Sequence, residues 1–156
     1  MAENQSEATQ QFAIQKIYIK DVSFESPNSP TMFTQDWQPE VNLDMNTNTR
    51  SLSEGVFEVV LSLTATVKNA EQTGFLVEVQ QAGIFSISGF AENDMGHMLG
   101  SFCPNIMFPY AREAVSDLVT KGGYPPLILA PVNFDALYAQ HIAQQQQAGE
   151  TEASTH

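Results

Sequence analysis

The chain has 156 residues, the size of one domain, enough to bury a core and too few for two ordinary ones. Lys plus Arg number 6 against 18 Asp plus Glu, so at a formal charge of -12 the average surface repels phosphate backbones and anionic headgroups, which argues against nucleic acid and membrane insertion. Charged residues are only 15% of the chain while 42% are hydrophobic, a deficit that points to surface buried between subunits or kept apolar for a ligand.

Residues 1–11 are polar and acidic, lack the basic and apolar regions of a signal peptide, and read as a disordered arm. Along FAIQKIYIKDVSFES the apolar positions Phe12, Ile14, Tyr18, Val22 and Phe24 share one phase, which predicts a long first strand. Ile17 and Ile19 fall on the opposite face, so both faces are expected to meet protein over part of its length. SPNSPTMFTQDW, with two prolines and turn-forming Ser and Asn, reads as a crossover. EVNLDMN alternates with Val41, Leu43 and Met45 against Glu40, Asn42, Asp44 and Asn46, the pattern of a strand with one wet face. After the turn TNTRSLSEG, a third strand carries Phe57, Val59, Leu61, Leu63, Ala65 and Val67 on a single face. NAEQTG turns the chain into a fourth, FLVEVQQAGIFSISGF, where Phe75, Val77, Val79, Phe85 and Ile87 share a face that Gln81 and Gly83 interrupt.

Three consecutive strands joined by short turns, plus one reached through a long proline-bearing connection, predict an antiparallel sheet of Greek-key character. The remainder is helical, which makes the fold α+β. Asn93 is placed to cap a short helix that GSFCPN breaks, and PYAREAVSDLVTKGG predicts a second helix with Pro109 in its first turn and Gly122 past its end. GYPPLILAPV must run extended, and Asn133 caps a last helix striped by Phe134, Leu137, Tyr138 and His141 or Ile142. The organisation expected is a single domain over 12–143, with 144–156 a disordered, Gln-rich tail.

Chemistry finds little foothold. His97, His141 and His156 belong to no metal-ligand spacing, and the P-loop, GxSxG and GxGxxG patterns are absent, so neither a cofactor nor ATP is expected and an enzyme is unsupported. Cys103, the single cysteine, excludes an internal disulfide, fits a reducing compartment, and beside Pro104 reads as a small buried hydrophobe. No run of about 18 apolar residues exists to span a bilayer. What stands out is a crowd of aromatic and methionine residues near the loops: Phe24, Met32, Phe33, Trp37, Met95, Met98, Phe102, Met107, Phe108 and Tyr110. They form either ordinary core or, lining a groove, an adaptable site for many apolar partners. Asp21, Glu25 and Glu78 either solvate an exposed face or, around Leu76, form an acidic patch for a basic segment, and composition alone favours the first. A carrier of one small apolar ligand stands as a rival.

KDVSFESPNSP at 20–30, DWQPEV at 36–41, EVQQAGIFSI at 78–87, CPNIMFPYAREAVSDLV at 103–119 and PPLILAPVNFDALY at 125–138 together resemble the bacterial SecB export chaperones, in order and without large gaps from Phe12 to Ile142. Tyr124, where that family more often has Phe, is a mild departure. The resemblance implies a four-stranded antiparallel sheet with helices on one side, assembled as a dimer of dimers in the bacterial cytoplasm. It implies an ATP-independent holdase that binds unfolded secretory precursors and passes them to the SecA motor, whose zinc-bearing basic tail docks on Asp21, Glu25, Leu76 and Glu78. It places Val77, Val79 and Gln81 at the oligomer interface and makes Trp37, Phe102 and Phe108 candidates for the client groove.

Overall fold

The computed structural model describes residues 9–153. Four strands, β1 (Gln11–Glu25), β2 (Pro39–Ser53), β3 (Val56–Asn69) and β4 (Gln72–Ser88), are followed by helices α1 (Glu92–His97), α2 (Cys103–Lys121) and α3 (Phe134–Ala153). All neighbouring strands are antiparallel in the order β1-β4-β3-β2, the meander plus returning strand that the sequence predicts. The two hairpins close tightly. Gly55 supplies a left-handed residue at φ 73° between β2 and β3, while Ala70 and Glu71, at φ 49° and 69°, form a turn of mirror-image hand between β3 and β4.

Every odd-numbered residue from Phe57 to Val67, together with Phe75, Val77, Val79, Phe85 and Ile87, lies on the face covered by α2, and these side chains meet Met107, Ala111, Val115 and Val119 in one core. Two corrections follow for the strands. In β1 the register slips between Ile14 and Lys16 and again between Ile19 and Asp21. Each bulge inserts one residue and inverts the phase, so Phe12, Ile14, Ile17, Ile19, Val22 and Phe24 all lie on the helix side and Tyr18 on the other. In β4, Gln81 does not interrupt the core face. It is buried there, and its Nε2 donates 3.0 Å to the Tyr18 carbonyl beside the second bulge.

Helical boundaries also differ from the sequence reading. α1 has no side-chain cap, and Asn93 lies within it. GSFCPN does not end the helical path: Met98–Phe102 form a π-helical turn that runs directly into α2, whose first turn takes Pro104 and whose interior takes Pro109. Gly122 caps α2 with a right-handed φ of -73°, leaving the left-handed step to Gly123 at 90°. α3 continues to Ala153 through the glutamine run expected to be disordered, because Gln and Ala carry good helix propensity and a started helix adds residues at low cost. Of the expected N-terminal arm, residues 1–8 lie outside the described residues, and β1 already includes Gln11.

Candidate functional site

The crossover between β1 and β2 is held down by one buried amide. Asn69 Nδ2 donates to the Asp36 carbonyl at 2.8 Å, Gln38 N donates to Asn69 Oδ1 at 2.8 Å, and Met32 sits buried beside them. This anchor delivers Trp37 to Gly74, where the absence of a Cβ leaves room for the indole; a Cβ there would come within 2.8 Å of the ring. Trp37 and Phe75, 6.3 Å apart, both pack on Tyr124, at 5.1 and 4.8 Å between centroids, and Phe33 lies 5.0 Å from the same ring with half its surface open. Tyr124 fixes the cluster by donating to the Gly74 carbonyl at 2.9 Å.

A second feature is an open groove of about 440 Å³ between the β2 edge and α3, floored by Met45 and Thr47 and walled by Leu99, Phe134, Leu137 and Tyr138. α3 docks through its first turns only. Asn133 Oδ1 accepts from Ala136 N at 3.0 Å, as the sequence predicts for a cap, and Asp135 Oδ1 takes His97 Nε2 at 2.7 Å and the Ser101 hydroxyl. Ser101 first and His97 second hold the Asp135 carboxyl below the ordinary carboxylate range. Gly96 and Gly100, one turn apart, are bare where the Tyr138 ring lies on them. The apolar stripe of α3 is legible in the sequence, but its role as a groove wall is not; the signal available is two glycines at helical spacing opposite an aromatic stripe.

The three ring candidates do not converge. Trp37 belongs to the crossover cluster, Phe102 packs edge-on against Phe12 at 5.0 Å and is 41% exposed, and Phe108 is sealed. Its ring is covered by Phe134 at 5.8 Å and by the Arg112 guanidinium at 5.8 Å, so Phe108 is core and cannot line a groove. Val77, Val79 and Gln81, expected at or near the oligomer interface, face the core of the protomer. At 1%, 0% and 3% exposure they are already enclosed beneath α2 within one protomer and have no area left to bury.

The sheet face away from the helices is uncovered. On it Glu25 stands opposite Leu76, Ser23 opposite Glu78 and Asp21 opposite Gln80, so all four patch candidates lie on adjoining positions of β1 and β4, and Glu25, Leu76 and Glu78 line a depression of about 160 Å³. Asp44, which pairs through Thr64 toward Glu78, adds a carboxylate that the sequence reading took only as part of a wet face. Farther along, Glu58 is buried, accepting from the Tyr18 hydroxyl and from Lys20 Nζ at 2.9 Å. Burial first, then the bond to Glu58, pushes the Tyr18 phenol up to about 12. Burial also pushes the Cys103 thiol up to about 12, which leaves it a protonated hydrophobe at neutral pH. Among the described residues no three His, Cys, Asp or Glu side chains gather as metal donors, and no helix is long and apolar enough to cross a membrane.

Comparison with known proteins points one way. Residues 5–145 match the family model described as preprotein translocase subunit SecB. A protein-export protein SecB from Methylococcus capsulatus is 60% identical over 147 residues, covering 94% of this chain and 95% of the relative. Its counterpart in Nitrosococcus oceani is 62% identical, over 91% and 88% of the two chains, and that of Stutzerimonas stutzeri 56% identical, over 99% and 94%. A Mycobacterium tuberculosis SecB-like chaperone, solved with a ChAD peptide from an antitoxin, shares the fold at a TM-score of 0.64 and 18% identity, over 78% of this chain and 90% of that one. A strand order, a helix-covered core and sequence identity over nearly the whole length therefore agree that the chain belongs to the SecB family.

Proposed function

We propose that this protein is an ATP-independent holdase of the bacterial cytoplasm, which binds unfolded secretory precursors, keeps them competent for translocation and delivers them to the SecA motor. The observation that carries this reading is the open, mainly apolar groove between β2 and α3, which is bounded on one side by a strand edge. A small-molecule carrier would enclose its ligand, whereas an open channel suits an extended chain of any sequence. Exposed apolar side chains lie outside it, among them Phe33, Val41 and Leu43, and supply further contacts for a long client. Captured along several such surfaces, a slowly folding precursor neither collapses nor aggregates.

The same reading assembles four copies of the 17.2 kDa chain as a dimer of dimers of about 69 kDa. The apolar stripe of β1 supports this: Ile14, Ile19 and Val22 lie on the helix side of an edge strand, yet α2 leaves them about half exposed. On the opposite face Asp21, Glu25, Leu76 and Glu78 dock the zinc-bearing basic tail of SecA, with charge supplying steering and register.

The test is selective capture. A fluorescently labelled precursor, diluted from urea into this protein without nucleotide, is expected to show a saturable rise in anisotropy, while the same precursor already folded shows none. Equal binding of folded and unfolded forms, or of neither, would overturn the holdase reading.

A further inference from the structure

We infer that the uncovered sheet face is a two-ended docking surface, whose basic end takes an acidic stretch of the same partner whose basic stretch lies on Asp21, Glu25 and Glu78. This assignment rests on the docking reading above and extends it.

The register sets the charges in rows across the sheet. One row runs from Arg50 through Glu58 and Ile84 to Lys16, all on the uncovered face. Lys20, at the second bulge of β1, joins that end, because its Nζ reaches Glu58. Two cations, Lys20 and Arg50, thus act on the Glu58 carboxylate and Lys16 lies one strand beyond in the same row, in a chain that has only 6 Lys and Arg against 18 acids. Both Glu58 oxygens are already engaged, one by Tyr18 and one by Lys20, and among the described residues neither Arg50 nor Lys16 forms an ion pair. These two exposed cations are therefore available to an outside carboxylate. A depression of about 350 Å³ beside Arg50, Lys20 and Gln80 offers it room.

Toward the other end the sign reverses, with Asp21 in one row, Asp44 and Glu78 in the next and Glu25 beyond. From Ile84 to Glu78 along β4, the centres of the two ends are separated by about 20 Å, or about six extended residues. A segment carrying a basic block and an acidic block at that spacing would satisfy both ends, and one of uniform sign would satisfy one and be repelled by the other. A second copy of this chain, turned end for end, would match the charges too. Between the ends, however, the face presents half-buried Val60 and fully buried Ala82 in one row and Ser62 and Gln80 in the next, which gives a face-to-face dimer little exposed apolar area to bury.

Three synthetic peptides test the assignment at about 50 mM salt: a Lys/Arg block, the same block joined through about six Gly/Ser residues to a Glu block, and the same length ending in Ser. The Glu-bearing peptide is expected to bind about fivefold more tightly than the Ser-bearing one, a gain in the range of one or two exposed ion pairs. That gain should vanish in Lys16→Glu/Arg50→Glu, which alters only exposed side chains, while the basic block alone binds that variant at least as well. No gain from the Glu block while the basic block still binds would overturn the two-ended surface and leave the acidic patch standing. Failure of the basic block itself, or indifference of its binding to Glu78→Lys, would overturn the underlying docking reading instead. A salt-sensitive rise in particle mass that is lost in Lys16→Glu/Arg50→Glu, with no gain in peptide binding, would give the face to a second copy and also overturn the proposal.

Discussion

Glu58 shows how one side chain ties two non-adjacent strands through a third. It sits on β3, receives its bonds from Tyr18 and Lys20 of β1, and reaches them across β4. The Tyr18 bond first, and the Lys20 bond second, hold its carboxyl below the ordinary range, more than offsetting the opposite push of burial. A depressed carboxylate stabilises the folded state in full above the ordinary carboxylate range, and this contribution fades as pH falls through the lowered folded value. Glu58→Gln, which keeps the shape and removes the charge, is expected to cost about 1.5–3 kcal/mol at pH 7, the size of a charge-assisted hydrogen bond. Urea denaturation of both forms should show the gap narrowing toward about pH 3. A gap of the same size at both pH values would mean that the carboxylate charge contributes nothing there. At Cys103 the same residue-scale physics runs the other way: with no partner and no solvent, the thiol is driven toward its neutral form.

At the scale of elements, the informative places are those where periodicity changes. β1 looks two-faced in the sequence because Ile17 and Ile19 fall out of phase with Phe12 and Phe24, and two bulges restore a single apolar face. A bulge leaves no local residue signature in this strand, so only pairing with β4 reveals it. The π-helical turn was hidden in a comparable way, since Gly100 and Pro104 look like breakers until Ser101 is seen to reach Asp135 and Tyr138 to lie on the glycines. A Cβ at Gly100 would stand 2.6 Å from Tyr138 Cδ2, at the root of the ring, so the helix must move and not merely a side-chain tip. Gly100→Val is accordingly expected to lower stability by about 1–3 kcal/mol, the range for overpacking, and to increase hydrogen exchange over the first turns of α3 while β3 and β4 stay protected. Unchanged exchange in α3 would show that this contact does not hold the helix. The cap at Asn133, the core face of β3 and most of the run GYPPLILAPV, extended from Pro125 on after a turn at Gly123, were legible, because each rests on a local rule: a side-chain acceptor, strict alternation, and prolines.

For the whole molecule, the sheet divides the work. Its helix-covered face builds the core and, at its margins, the groove; its uncovered face carries graded charge. The grouping of Asp21, Glu25 and Glu78 around Leu76 was implied by the family resemblance and not by composition, whereas the strand order could be read from the chain, since alternation and turn spacing fix it. Which aromatic side chains stay open could not. Met32, Met107 and Phe108 are buried while Phe33, Phe102 and Tyr110 are exposed, and only packing between distant elements separates the two groups. Those open surfaces matter if they hold a chain that would otherwise fold. The direct measurement is the refolding rate of a slow-folding precursor, followed without nucleotide at increasing concentrations of this protein. Refolding should slow toward arrest as the protein reaches equivalence with the precursor, and resume when a competing unfolded chain is added. A refolding rate independent of this protein at every concentration would contradict the holdase mechanism.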